Sequence, residues 1–405
     1  MRFLVYAGLL LMPFLNAVAA AFDDEASAVR FALANNRDLR AARLTVSAAE
    51  ARVRGAGKLS NPEFEATVAG GKDFEGRVEI GLTQRFPLTA RLRLEKEISQ
   101  LEIAAAKIEV AAREREIAAK VRESFLEAAQ AREARLLRSR QSELAGTFTK
   151  SLQSRVAEGF DSPLDAAEAA LEVTRLQAQV AELRAGEESA TGKLAALLGL
   201  PVNETVTVKD IPPLPNAVPT PSSPANRPDI RLAEIAIEAA EKDLGLARSM
   251  RWDDIGVGIF VEGERFRDEP EGIESEGLIG MRLSVPLPVW NNGQAAVEER
   301  KAIAQRRLEL LEAIRFSAAH EAASAWRQMK ARFSAAQQMQ NDALPAARKL
   351  LADTQAAYDR GEADAQRLFR VRERLIAVEN DALESRIQFH LARAAWLHAN
   401  GAPTP

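Results

Sequence analysis

There is no cysteine anywhere in the 405 residues. That excludes a disulfide framework, a thiolate metal site and a cysteine nucleophile, and it excludes an acylated N-terminal cysteine as an anchor. Aromatic residues make up only 5 % of the chain, which is sparse for a solid globular core. No apolar run after the first twenty or so residues is long enough to cross a bilayer as a helix. A net charge of −4 supplies no basic field to draw in nucleic acid. The three histidines, His320, His390 and His398, share no ligand spacing, so no metal site is expected. His320-Glu321 lacks the second histidine of a zinc-protease helix because position 324 is serine, and Gly186 to Lys193 is one residue too long for a phosphate loop. Gly256-x-Gly258 lies within a strand pattern and opens no helix. No catalytic constellation and no cofactor site is expected.

What is present is charge and small or straight side chains. Charged residues are 28 % of the chain, and Ala, Glu, Arg and Leu dominate. These residues lose little on becoming helical, and the mixture is that of long helices and coiled coils. The first residues read as an export leader: Arg2, the apolar run Phe3 to Leu15, and Ala17-Val18-Ala19 as a small-x-small cleavage signal. Cleavage after Ala19 or Ala21 leaves a mature chain starting near Phe22.

Along the mature chain the hydrophobic period changes several times. Asp23 to Lys58 reads as helix, stopped by Asn61-Pro62. Glu63 to Ala69 and Arg77 to Phe86 alternate with period two around Gly70-Gly71 and Gly76, a β-hairpin. Leu88 to Glu158 contains no proline, and its apolar residues recur every three or four positions. About 70 helical residues extend on the order of 100 Å. Gly159 ends that helix, and Ser162-Pro163 starts another that runs to Leu198-Gly199.

Residues 201–228 hold eight of the eighteen prolines and read as an irregular belt, neither helix nor strand interior. The programme then repeats. A helix covers Pro228 to Met250, and alternating strands surround Ile255–Val261 and Ile279–Val285, with an acidic loop from Gly263 to Glu276 between them. A second long helix covers Gly293 to Arg360, with a kink or break expected at Pro345. Gly361 ends it, and a last helix runs to Asn400-Gly401. Arg155–Gly159 matches Ala357–Gly361, Leu198-Gly199 matches Asn400-Gly401, and Ala49-Glu50 matches Ala240-Glu241. The organisation expected is a leader over 1–21, a first repeat over 22–200 (hairpin about 62–87, long helix about 88–158), a linker over 201–227 and a second repeat over 228–402 (hairpin about 253–289, long helix about 293–360).

Four strands of this length suit a tilted bilayer crossing, but a sheet in lipid must close, and closed membrane barrels start at about eight strands. Copies must therefore pool strands, eight in a dimer or twelve in a trimer; strand counting does not choose. Phe64, Phe86, Trp252 and Trp290 sit at strand ends, where an interfacial girdle would place them. The acidic stretch Glu262, Glu264, Asp268, Glu269, Glu271, Glu274 and Glu276 reads as a solvated outer loop, or as a cation-attracting mouth. The competing reading is a periplasmic coiled-coil spacer whose hairpins never enter lipid.

The phrases Ala225-Asn226-Arg227-Pro228-Asp229-Ile230 with Ala233-Glu234, Lys193–Gly199, the paired Gly159 and Gly361 helix ends and the duplicated helix–hairpin–long helix–helix order resemble TolC-like outer-membrane factors across essentially the whole mature chain. The resemblance implies a mainly α fold with a small β part. It implies a homotrimer, with an α-helical barrel in the periplasm and a shared 12-stranded barrel in outer-membrane lipid. It implies a passive efflux or type I secretion duct for small molecules or metal ions, and not an enzyme. The partners implied are a periplasmic adaptor at the tip near Gly159 and Gly361, and an inner-membrane pump of the resistance-nodulation-division or ATP-binding-cassette type. Val285–Asn291 resembles the heavy-metal branch. Family members narrow the tunnel with acidic residues six and nine places after the two glycines. Here these are Asp165 and Glu168 in the first repeat, but Arg367 and Arg370 in the second, which departs from an acidic ring and reads either as a latch of opposite charges between helix pairs or as a solvated helix surface.

Overall fold

The computed structural model describes residues 20–71, 76–268, 272–290 and 292–402. The leader therefore lies outside the described residues except for Ala20 and Ala21, as do Glu269 and Glu271 of the acidic stretch and Asn291. The chain is mostly helical with a small sheet. Its strands are β1 (Ala20–Phe22), β2 (Glu63–Gly70), β3 (Gly76–Phe86), β4 (Val206–Val208), β5 (Ile255–Asp268) and β6 (Gly272–Ser284). Its helices are α1 (Glu25–Asn35), α2 (Arg37–Gly55), α3 (Arg91–Ala157), α4 (Pro163–Leu198), α5 (Pro228–Ser249), α6 (Gln294–Gln338), α7 (Leu344–Asp359) and α8 (Ala365–Ala399). The chain forms two compact units.

The sheet unit comprises Ala41–Ala112 and Ala225–Ser317. Its four strands pair antiparallel in the order β2-β3-β5-β6. The two hairpins are joined through β3 and β5, with Gly81 opposite Phe260 and Phe86 opposite Ile255. Most of the expected acidic loop is strand: β5 and β6 continue pairing to Asp268 opposite Gly272. The apolar alternation stops there, but the backbone ladder does not, because a hairpin needs only its hydrogen bonds to carry on once both faces are polar.

The helical unit comprises the described parts of Met1–Arg40, Arg113–Pro224 and Ala318–Pro405. The helix expected over Asp23 to Lys58 is broken at Asn36, whose ψ of 130° leaves the helical region. Asn36 accepts from the Leu39 amide at 3.1 Å and donates to the Leu197 carbonyl at 2.9 Å, so it caps α2 and ties it to the end of α4. The belt is not wholly irregular. Its first residues form β4, which pairs parallel with β1, Ala20 opposite Val206 and Phe22 opposite Val208; most of the belt's prolines lie beyond these pairs.

The second long helix is also interrupted. One π turn, Met339–Ala343, separates α6 from α7. Pro345 has no N–H to offer one turn back, and the Leu344 amide bonds Met339, five residues earlier. Two clusters form much of the core. Phe148, Leu152, Ala169, Tyr358, Ala365 and Leu368 pack near the helix turns. Met329, Phe333, Ala336, Phe389, Ala392 and Trp396 pack against Leu214 and Val218 of the belt. The belt is further held by Trp326 Nε1–H donating to Pro219 O at 2.9 Å and by the Ile211 amide donating to Glu133 at 2.5 Å. His390 Nε2 lies 2.9 Å from Pro212 O, so it must carry the proton. Burial pulls the pKa of His390 down to about 4.

Candidate functional site

The sheet has two opposite faces, and their polarity is the reverse of a water-soluble sheet. Residues alternate along each strand, so the register sorts them. One face carries Phe64, Val68, Val78, Ile80, Leu82, Ile259, Val261, Ile279, Met281 and Leu283. All are exposed, Ile279 at 81 % and Met281 at 79 %. The other face carries Glu65, Arg77, Glu79, Glu262 and Arg282, with Glu79 and Glu262 only 8 % exposed.

These charges form a lattice across all four strands. Arg77 bonds Glu262 at 2.7 Å and Glu79 at 3.2 Å. Arg282 bonds Glu65 at 2.6 Å and also Glu79, so a β6 side chain reaches β2, the far edge of the same sheet. Arg282 stacks over the Phe260 ring at 5.3 Å. Phe260 in turn covers Gly280, where an added Cβ would lie 2.4 Å from the ring. Small residues on this face thus make room for large ones beside them, and the polar groups hold one another instead of being solvated singly. Below the sheet, Arg91 in the first turn of α3 bonds Asp254 at 2.5 Å, fixing the helix start to the start of β5.

The second site is at the two helix turns of the helical unit. α3 and α7 end alike. Phe160 N–H bonds Arg155 O at 2.9 Å and Glu362 N–H bonds Ala357 O at 2.9 Å, around Gly159 at φ 81° and Gly361 at φ 78°. Both glycines occupy the left-handed region, which a Cβ penalises even though nothing else crowds either position. Ser162 caps α4 through the Leu164 amide at 3.2 Å, and Asp364 caps α8 through the Arg367 amide at 2.7 Å.

Asp165 is half-buried, and Glu168, Arg367 and Arg370 are partly or fully exposed. Among the described residues, no hydrogen bond or ion pair joins either arginine to either acid. What links the two turns within the chain is a different set. Asp161 Oδ2 accepts from Arg155 Nε at 2.5 Å and from the Tyr358 hydroxyl at 2.9 Å. The Arg155 guanidinium also lies over the Tyr358 ring at 4.7 Å. Burial, and then the bond to Asp161, push the Tyr358 hydroxyl up to about 12. The same acid raises Arg155 above its usual value. Sequence reasoning missed this trio. The available signal was the difference between the matched phrases: Arg155 stands against Ala357, and Tyr358 against Val156.

No group of three or more potential ligand side chains is placed to hold a metal ion among the described residues. None of their helices is long and apolar enough to cross a membrane.

A family model described as "Outer membrane efflux protein" matches residues 28–200 and 221–401. The cobalt-zinc-cadmium resistance protein CzcC of Cupriavidus metallidurans is 23 % identical over 374 residues, covering 87 % of this chain and 85 % of that protein. Among solved structures, the fold is similar to CusC (TM-score 0.73, 19 % identity, 95 % of this chain and 93 % of that one). It is also similar to the outer membrane protein VceC of Vibrio cholerae (TM-score 0.72, 18 % identity, 94 % and 97 %) and to the outer-membrane channel OprN (TM-score 0.74, 20 % identity, 94 % and 91 %).

Proposed function

The chain belongs to the family of outer membrane efflux proteins, and from that premise we propose that it is the passive exit duct of a tripartite efflux system. The family is one of transport proteins, not of enzymes. In this reading the leader within residues 1–21 is removed on export. The sheet enters outer-membrane lipid with its apolar face outward and its charged face toward a water-filled lumen. Four strands leave the β2 and β6 edges unpaired, so copies must pool strands to close the barrel, and in this reading, which follows the family likeness, three copies supply twelve. The helices extend into the periplasm, where the Gly159 and Gly361 turns meet an adaptor and, through it, an inner-membrane pump of the resistance-nodulation-division or ATP-binding-cassette type. The likeness to a cobalt-zinc-cadmium resistance protein supports divalent metal ions as cargo.

The observation that carries this reading is the inverted sheet. Exposing about ten large apolar side chains to water, at roughly 25 cal/mol per Å², is unfavourable by many kcal/mol. In lipid the same face costs nothing to leave uncovered. At the tip, Asp165, Glu168, Arg367 and Arg370 act as the aperture, pairing across the boundary between copies. Replacing Arg367 and Arg370 with alanine raises single-channel conductance; unchanged conductance removes the aperture from the proposal.

The duct itself is tested by extracting the protein from isolated outer membranes in mild detergent and weighing the particle by native mass spectrometry. The expected result is a detergent-dependent complex of three chains. A water-soluble monomer would place the hairpins outside lipid and favour the periplasmic spacer.

A further inference from the structure

The helical unit contains a cavity of about 410 Å³ between α3, α4, α7 and α8, a short way along the helices from the two glycine turns. Its walls are mainly apolar: Leu144, Phe148, Leu176, Leu351, Phe369 and Ile376. Arg372 of α8 also lines it. The guanidinium lies against one wall, 3.9 Å from the centre of the Phe148 ring, and Phe369 meets the same ring edge-on at 5.3 Å. Its hydrogen-bond acceptor in the protein is Gln355 Oε1 at 2.8 Å, an uncharged group.

Among the described residues no carboxylate lies within ion-pair distance of Arg372. The carboxylates that share the cavity are committed or turned to water. Glu172 is gripped by Arg175 through two bonds of 2.7 Å. Glu379 accepts from Gln141 at 3.1 Å and lies 3.7 Å from Arg348. Glu373 is exposed. Partial burial lowers the Arg372 pKa from its usual value, and the Asp359 carboxylate, beyond ion-pair distance, offsets this only in part. A guanidinium does not shed its proton in a protein, so the shortfall persists as an unmet demand for an anion.

We infer that this cavity binds an amphiphilic organic anion, a carboxylate with a compact apolar body, whose head group pairs with Arg372 and whose body lies against Leu144, Phe369 and Ile376. The planar fork of the guanidinium matches a carboxylate in two parallel bonds. The walls select against small inorganic anions, which would lose hydration and gain no apolar contact. A neutral ligand leaves Arg372 as it is, and a cationic one meets it head-on. The cavity lies wholly within one chain's helical unit, so the site goes beyond the exit-duct reading and does not depend on it.

The test is calorimetric titration of the full chain in a neutral maltoside detergent with 2-naphthoate, and with 2-naphthylmethanol as its uncharged counterpart, each corrected with a detergent blank. Naphthoate binds at least about ten-fold more tightly than the alcohol. Arg372→Met removes that preference, and Arg372→Lys restores part of it. Ala145→Trp, which fills the cavity from the α3 wall, removes binding of both ligands. Equal affinities for acid and alcohol, or naphthoate binding undiminished in Arg372→Met, overturn the site. Should Arg372→Met lose its helical circular dichroism, Ala145→Trp decides: undiminished naphthoate binding in that variant overturns the site equally.

Discussion

The two units of this chain solve opposite problems with the same amino acids. In the helical unit the core is built of large apolar side chains, with Phe125, Phe389, Leu152 and Leu368 fully buried, and most charges lie at the surface. In the sheet one face exposes large apolar side chains and the other carries the charges, with Glu79 and Glu262 covered while Ile279 and Met281 stand open. The hydrophobic effect does not change sign between them. What differs is the solvent each surface is built to meet, so the polarity of a face reports its surroundings as directly as its packing.

That contrast is broken most severely from the helical side. Phe389→Ala leaves a void between Phe333 and His390, both of which contact the ring, and costs about 3–5 kcal/mol. The checking measurement is the midpoint of the helical circular-dichroism melt. The mirror experiment on the sheet is Ile80→Arg. Facing lipid near mid-membrane, it costs about 2–4 kcal/mol and lowers recovery in the outer-membrane fraction. On a sheet that meets only water it is nearly neutral, within about 0.5 kcal/mol.

A third experiment sharpens the comparison through pH. The folded-state pKa of His390, about 4, lies below its usual value of 6.5, so the neutral ring is the form the fold favours. Its contribution is complete above pH 6.5, declines as the pH falls through the interval and is gone at about 4. The loss approaches about 3 kcal/mol as an order of magnitude. His390→Gln, keeping a donor for Pro212 O, flattens that part of the stability profile of the helical unit. Recovery of the sheet in membranes should not respond. The smallest effect is expected at the turns, where Gly361→Ala forces a Cβ into the left-handed region for about 1–2 kcal/mol, read as a lower melt with the mass of the complex unchanged.

Much of the architecture was legible because it is periodic. The alternation through Val78, Ile80 and Leu82 marks β3, and the three-and-four spacing from Leu94 to Phe125 marks α3. Where the signal is not periodic, reading failed. The break at Asn36 carries neither glycine nor proline; it exists because one amide can cap α2 and reach Leu197. The acidic stretch read as loop because charges suggest solvent, while the ladder from Gly263 to Asp268 depends on backbone bonds that side-chain polarity does not reveal. β1 and β4 are three residues each and stabilise only as a pair brought together from distant parts of the chain. In the helical unit the repeat located both glycine turns by their spacing. The Asp161–Tyr358 bond joins residues 197 positions apart, a distance at which no local pattern speaks. The lattice of Arg77 and Arg282 is visible only once register has put four strands side by side.

The π turn at Met339–Ala343 has a consequence for how this chain tolerates change in length. Within an ordinary α-helix, dropping one residue rotates everything beyond it by about 100°, which at α7 would swing Tyr358 away from Asp161. A π turn holds one residue more than an α turn over the same stretch of axis. With Pro345 replaced by alanine, deleting Asn341 therefore reverts the bulge to regular helix and leaves Tyr358 facing as before, whereas the same deletion at Ala325 re-aims the helix beyond it. The second long helix carries its own slack, a single position at which an insertion or a loss is absorbed locally.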